Sequence, residues 1–335
     1  MKIKLLAALV AATACGTNAF AAEVYNSEGT TLSIGGHVSV GVGEYGSDDD
    51  VAVEQVSPRL NIAGTQDIGN GLVVDMKSEW AMDYLDGGDR TFSTRLGYIG
   101  LTHEEMGRMV VGTQWSPYYD VGGVADMPIA FANDFLYENQ ARMGGARADR
   151  MVSYRKSFAL ADDGMVNFGL GWQGEHTSIV LKTDARFQVA LSAQMMGFGA
   201  GYAYSGGEKE FTVANVTQDA TSHIFSLNYG SYGAGVYVAA VFGFNEYFYN
   251  NYKETTHIEG LLAYGMDNGL NMSVNYEEAY DEAGKYTLYT QSAIQFEYTV
   301  APSFVTFAAY QIDLGDDFSS TEDDDKWIVG MRYYL

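Results

Sequence analysis

The chain has 335 residues, with 19 Lys or Arg against 43 Asp or Glu, and its formal net charge is −24 at pH 7. An acidic excess of this size excludes non-specific nucleic-acid binding as a working hypothesis. A disordered acidic chain would be poor in aromatic and apolar residues, whereas this one has 25 Tyr, 17 Phe and 47% hydrophobic residues. The composition therefore predicts a folded protein.

The first residues have the features of a secretory signal peptide. Residues 1–4 include two lysines, residues 5–14 are apolar, and Ala19 and Ala21 are the small residues expected before a cleavage point. We therefore expect residues 1–21 to be a signal peptide that is removed on export.

The remaining residues, 22–335, are predicted to form one domain without disulfide bonds. The single cysteine, Cys15, would leave with the signal. An exported chain without cysteine must be held together by other means. Sites built on cysteine, such as zinc fingers and iron–sulfur clusters, are excluded for the same reason.

Apolar and polar residues alternate with a period of two along almost the whole of this domain. A strand places successive side chains on opposite faces, so each such segment has one apolar and one polar face. No apolar run after the signal is long enough for a helical membrane span, but a spanning strand needs only about 9–11 residues. Segments with this alternation begin near Leu32, Leu72, Phe187, Phe225, Val236, Ile258, Leu270, Leu288 and Phe304.

Alternation alone also fits a soluble β-sandwich, but the connections favour a membrane barrel. Short turns are predicted at residues 67–70, 196–197 and 266–269, and they alternate with long acidic loops, as in outer-membrane barrels. The polar face of each segment is often charged or amide-bearing, which suits a water-filled lumen better than a second packed sheet. The long loops are predicted at residues 44–56, 205–219 and 313–326.

Aromatic residues near the segment ends support the same interpretation. In a membrane barrel they would form girdles at the two interfaces. The candidates are Trp80, Trp115, Trp172, Tyr202, Tyr204, Tyr247 and Phe248.

The fold class predicted from these patterns is all-β: a transmembrane antiparallel β-barrel of about 16 strands around an aqueous channel. In hydrocarbon every backbone N–H and C=O needs a partner, so the sheet must close and the last strand must pair with the first. We expect the final strand to close the barrel with a lipid-facing row formed by Trp327, Val329, Met331, Tyr333 and Leu335.

Five stretches resemble the trimeric general diffusion porins of Gram-negative bacteria. The similarity is specific in the first half and rests on spacing and the last strand beyond about residue 185. It implies a sixteen-stranded barrel, a homotrimer, and a third loop that folds inward to narrow the pore. The stretches are AEVYNSEGTTLSIGG (22–36), RLNIAGTQDIGNGL (59–72), RLGYIGL (95–101), GTQWSPYYDVGGVADMP (112–128) and RADRMVSYR (147–155).

The resemblance also implies a pore constriction with an acidic and a basic side. Residues 115–147 correspond to the third loop, in which Asp126 matches the acidic position of the family and Asp134 is the candidate for a second acid. The basic side would consist of three arginines and of two positions where the family often has Lys or Arg. These five residues are His37, Arg59, Arg95, Thr113 and Arg147. The arginines have an alternative role as structural ion pairs in the wall.

The last residue, Leu335, departs from the terminal Phe that is usual in the family. The terminal strand is recognised by the outer-membrane assembly machinery in this family. Met331 and Tyr333 keep the rest of the expected pattern.

The predicted function is passive diffusion of ions and small hydrophilic solutes across the outer membrane, with a mild cation preference. The expected partners are two further copies in a homotrimer, outer-membrane lipid, lipopolysaccharide and the assembly machinery. Neither a cofactor nor enzymatic activity is expected. The histidines lack zinc-binding spacing; they are His37, His103, His176, His223 and His257.

Three alternatives remain open from the sequence. A sugar-specific channel would need an aromatic track on the inward row. The long loops would serve an adhesin or phage receptor. Loop carboxylates would bind divalent cations that bridge to lipopolysaccharide, or they would simply be solvated.

Overall fold

A computed structural model describes residues 21–46, 50–85, 92–131, 134–160, 163–178, 181–316 and 325–335. Residues 1–20 of the predicted signal peptide lie outside the described residues. None of the described helices is long and apolar enough to cross a membrane.

Within these ranges the chain forms twenty strands. They are β1 (Ala22–Ser27), β2 (Thr30–Glu44), β3 (Ala52–Gln55), β4 (Arg59–Gly69), β5 (Leu72–Met82), β6 (Phe92–His103), β7 (Gly107–Trp115), β8 (Arg147–Ala159), β9 (Met165–Gln173), β10 (His176–Thr177), β11 (Lys182–Thr183), β12 (Arg186–Met195), β13 (Phe198–Phe211), β14 (Val216–Ser231), β15 (Ala234–Glu246), β16 (Glu254–Gly265), β17 (Leu270–Asp281), β18 (Tyr286–Ala301), β19 (Phe304–Asp313) and β20 (Lys326–Tyr334).

Sixteen of the described strands, β2, β4–β9 and β12–β20, form one closed antiparallel barrel. The barrel closes where β20 pairs with β2, with Val329 opposite Val42. The four short strands extend it: β1 pairs with the start of β2, and β3 continues the line of β4 along β2. β10 and β11 lengthen the hairpin of β9 and β12. The predicted sixteen-stranded barrel is confirmed.

The two faces of the barrel have reversed polarity compared with a soluble protein. On β20, Val329, Met331 and Tyr333 are 57%, 50% and 51% exposed, whereas Arg332 between them is 8% exposed. Leu335 at the chain end is also exposed, and Trp327 is half-buried. The apolar row of each long strand thus faces outward, towards lipid, and the polar row faces a central lumen.

Short turns occupy one rim, and their chemistry matches their geometry. Between β4 and β5 the chain turns at Asn70 and Gly71, whose φ angles are +54° and +76°. Positive φ at both central residues is typical of a type I′ hairpin turn, for which Asn-Gly is the preferred pair. The predicted turn at residues 67–70 begins too early, because β4 continues to Gly69.

The prediction of a long loop at residues 205–219 is wrong. β13 continues to Phe211 and β14 begins at Val216, and the two strands pair throughout, with Glu208 opposite Asp219. A strand that rises beyond the bilayer has water on both faces and needs no apolar row. The acidic residues of this stretch were therefore misinterpreted as a loop, although they belong to a continuous hairpin.

Two of the predicted girdle residues face inward instead. Phe248 is 3% exposed and packs against Tyr118, with ring centroids 5.6 Å apart. Trp115 is half-buried beside the same cluster. Both cover the apolar side of the segment that follows β7, whereas Trp172 is 43% exposed on the outer face.

Candidate functional site

The described residues of the segment between β7 and β8, 116–131 and 134–146, lie inside the barrel; we call them the luminal loop. They include three single-turn helices, Tyr119–Gly122, Asp134–Tyr137 and Gln140–Met143. The luminal loop is hydrogen-bonded to inward-facing side chains of strands far from β7 and β8, at distances of 2.6–2.8 Å: Ser222 on β14, Tyr237 on β15, Asn275 on β17 and Gln295 on β18.

Apolar burial and one arginine hold the luminal loop against the wall. Tyr118 and Leu136 are fully buried and belong to a cluster that includes Ile224 of β14. Burying a side chain of this size stabilises a structure by about 1.5–3 kcal/mol. Arg155 of β8 forms two hydrogen bonds with the Asp120 carboxylate, at 2.6 and 3.2 Å, and donates a third to the Trp115 carbonyl at 2.7 Å.

Three of the predicted basic-side residues lie together on neighbouring strands. His37 on β2 is directly opposite Arg59 on β4. Arg59 donates to the Ser57 carbonyl and hydroxyl oxygens at 3.3 and 3.1 Å, and Arg95 of β6 approaches the same hydroxyl at 3.5 Å. Ser57 therefore orients both guanidinium groups. His37 is buried, with its ring edge-on to Tyr334.

Of the remaining two predicted basic-side residues, Arg147 adds a positive charge and Thr113 does not. Arg147, the first residue of β8, is close enough to Arg95 to interact with it electrostatically. Thr113 lies in a β-bulge of β7 next to Gln114 and brings no charge. Among the described residues, no hydrogen bond joins Thr113 to any of the arginines.

Three further charged residues of this wall were not identified from the sequence. Arg332 of β20 donates to the Ser39 hydroxyl and the Val56 carbonyl, both at 3.3 Å. Lys77 and Glu79 of β5 form an ion pair at 3.4 Å, and Glu79 also pairs with Arg95 at 2.9 Å. Each of these residues occupies an inward-facing position in the alternation of its strand, and this position is the sequence signal that could have identified them. The alternative role of the arginines, wall ion pairing, therefore applies to Arg95.

The two predicted acids occupy different places. The Asp126 carboxylate accepts hydrogen bonds from the Tyr119 hydroxyl, at 2.6 Å, and from the Tyr137 hydroxyl. Burial raises the pKa of the Asp126 carboxyl, and these two hydrogen bonds oppose the shift. Arg59 and Arg147 are close enough to act on it electrostatically. Of the two predicted acids, Asp126 is therefore the one that lies near Arg59 and Arg147.

Asp134 lies instead on the side of β17 and β18. Its carboxylate accepts a hydrogen bond from Gln291 at 2.9 Å, and its backbone N–H donates to Glu277 at 3.1 Å. Glu297 accepts the Ile129 N–H at 3.0 Å in the same region. Glu277 and Glu297 occupy inward-facing positions in the alternation of their strands, so the sequence could have identified them as luminal residues. Their contacts with the luminal loop depend on the path of that loop and could not be predicted in this way.

Three aromatic rings near Arg147 form a cluster that we call the aromatic shelf: Trp115, Tyr119 and Tyr137. The Trp115 and Tyr119 rings are stacked with centroids 4.2 Å apart, and Tyr137 meets Trp115 edge-on at 6.5 Å. The guanidinium carbon of Arg147 is 5.7 Å from the Trp115 centroid and 5.8 Å from that of Tyr137. Sequence alternation did not predict the shelf, because two of its members lie in the luminal loop.

Known proteins share this architecture. A family model described as Gram-negative porin matches residues 6–335. The outer membrane protein YedS of Escherichia coli is 25% identical over 362 residues, covering 99% of both chains.

Two solved structures have the same barrel fold. Salmonella typhi OmpF, solved as a complex with daunomycin, has a TM-score of 0.77 at 19% identity, with 94% of this chain and 100% of that chain covered. A porin of Comamonas acidovorans described as anion-selective has a TM-score of 0.73 at 13% identity, with 91% and 100% covered.

Proposed function

Because the chain belongs to the Gram-negative porin family, we propose that it is a general diffusion porin, which lets ions and small hydrophilic solutes cross the outer membrane through a water-filled channel. Family membership supports an outer-membrane location and a non-enzymatic role. The observation that carries the proposal is the reversed polarity of the closed barrel, with the luminal loop lying across its polar interior.

A mild cation preference is the second part of the proposal. Five cations line the basic wall, Lys77, Arg59, Arg95, Arg147 and Arg332, but the chain as a whole has 43 Asp or Glu against 19 Lys or Arg. Two unit charges about 10 Å apart interact by about 0.4 kcal/mol in water and about 1.7 kcal/mol at an effective dielectric of about 20. Fields of this size bias permeation a few-fold and do not build an ion-specific filter.

The test is the conductance of the purified protein in a planar lipid bilayer. We expect stable open channels and, in a KCl gradient, a reversal potential with the sign of a modest K⁺ preference. The preference should weaken as salt rises, because screening acts over about 8 Å at physiological ionic strength. The absence of channels would contradict the diffusion function, and a Cl⁻ preference would contradict the predicted selectivity alone.

The same recording distinguishes a general diffusion pore from a sugar-specific channel. Glucose or maltose at low concentration should leave the current of a diffusion pore unchanged, whereas a sugar-specific channel would be blocked. An adhesin or phage-receptor role of the long loops is compatible with diffusion and would be lost on loop deletion without loss of conductance.

We further infer cleavage after Ala21, assembly as a homotrimer, and contact of the outer face with lipid and lipopolysaccharide. The exposed apolar rows support the lipid contact. The proposed role of the row ending in Leu335 in recognition by the assembly machinery rests on the family resemblance.

A further inference from the structure

Arg147 is held in a fixed position between the aromatic shelf and the basic wall. Its Nε–H donates to the Gln140 side-chain oxygen at 3.0 Å, and its backbone N–H donates to the same atom at 3.3 Å. The guanidinium group lies within 6 Å of two ring centroids, at 5.7 and 5.8 Å, which is the range of a cation–π contact. Arg147 is therefore oriented before any solute arrives.

The outer nitrogens of Arg147 are available to a solute. Among the described residues, no hydrogen bond reaches its two Nη groups, and the side chain is only half-buried. An anion that contacts these nitrogens would accept charge-assisted hydrogen bonds, which are stronger than neutral ones.

The shelf supplies an apolar surface beside Arg147. The hydroxyl groups of Tyr119 and Tyr137 are both engaged by Asp126, so their rings are held in place. Trp115, Tyr119 and Tyr137 are each half-buried residues. A further planar ring can pack against such a surface in an offset or edge-on arrangement.

A solute needs both a negative charge and a flat ring to use both features. A small inorganic anion gains from Arg147 alone, and a neutral sugar gains from the rings alone. A planar aromatic molecule with one carboxylate places its charge on Arg147 and its ring against the shelf.

We propose that the constriction contains a weak, transient binding subsite for aromatic monocarboxylates, formed by Arg147 and the aromatic shelf. This proposal rests on the proposed channel function, because the subsite is reached from the lumen. Solutes of this class would be enriched at the narrowest point and would interrupt the flow of small ions while bound.

The experiment measures block of the KCl current through single channels by benzoate, acetate and benzyl alcohol at neutral pH. Benzoate should reach half-block at a concentration about fivefold lower than acetate, since an aromatic contact is worth a factor of roughly two to ten. Benzyl alcohol, which lacks the charge, should not block at the same concentrations. Trp115→Leu and Tyr137→Leu should each bring the benzoate value close to that of acetate.

Trp172→Leu is the matched control, because Trp172 is exposed on the outer face. It should leave the block by benzoate unchanged. Equal block by benzoate and acetate, or benzoate block that persists in both shelf variants, would overturn the proposed subsite. Neither result would contradict the diffusion function, provided that the native protein still conducts KCl. If the native protein formed no channels, the proposed function itself would fail.

Discussion

A channel in which Arg59 and Arg147 are both replaced by Gln is expected to prefer K⁺ over Cl⁻ several-fold more strongly than the native channel. Both guanidinium groups are close enough to Asp126 to act on it electrostatically. At an effective dielectric of about 20, one unit charge about 10 Å away changes the energy of a passing ion by about 1.7 kcal/mol, which corresponds to roughly an 18-fold change in relative permeability per charge before screening. Screening by mobile ions reduces this value.

The measurement is the reversal potential in a KCl gradient for the native, variant and control proteins. Arg150→Gln removes the same charge from a residue that is exposed outside the lumen, where it shares a surface hollow with Trp172. The control should keep the native selectivity. If Arg150→Gln shifted the reversal potential as much as the double variant, the net charge of the chain rather than the constriction would set the selectivity.

Val329→Arg is expected to destabilise the folded barrel in lipid by about 2–4 kcal/mol, the range for a cation at the bilayer midplane of a barrel. Val329 lies in the middle of the closing strand β20, between Val42 of β2 and Ala308 of β19. Its side chain is 57% exposed on the outer face. A charge there must either stay in hydrocarbon or weaken the pairing that closes the barrel.

Urea-dependent folding into phospholipid vesicles gives the free energy of unfolding for this comparison. Val329→Leu, which keeps the site apolar, should remain within about 1 kcal/mol of the native protein, as conservative apolar substitutions usually do. An unchanged stability of Val329→Arg would mean that this face of β20 contacts water or protein rather than lipid.

The number of strands and the direction in which their side chains face could be predicted from the sequence. Each spanning strand has lipid on one face and water on the other, and this imposes a period of two on its residues. The row from Trp327 to Leu335 illustrates this, since its alternation is complete. The same argument failed at residues 205–219, where the hairpin of β13 and β14 leaves the bilayer and its side chains no longer report a lipid face.

The contacts of the proposed constriction were less predictable, because they join residues far apart in the chain. Arg59, Arg95, Arg147 and Asp126 were identified by resemblance, and their roles in the pore remain predictions. Arg332 comes from the last strand and joins the same wall only because the barrel closes. The positions of Asp134 beside Glu277 and of Trp115 beside Arg147 depend on the path of the luminal loop, which has no periodic pattern.

The central claim, a closed barrel with a wet interior and a lipid-covered exterior, is tested most directly by two adjacent cysteine variants on β12. Ser192 faces inward and accepts a hydrogen bond from Asn167 at 3.2 Å, whereas Leu191 is 50% exposed on the outer face. The single native cysteine is Cys15, which lies in the proposed signal peptide. Ser192→Cys and Leu191→Cys are each reconstituted in vesicles and treated with a charged, membrane-impermeant thiol reagent. The structure predicts rapid modification of the Ser192→Cys variant and protection of the Leu191→Cys variant. Equal modification of both, or protection of the Ser192→Cys variant alone, would contradict the enclosed aqueous lumen.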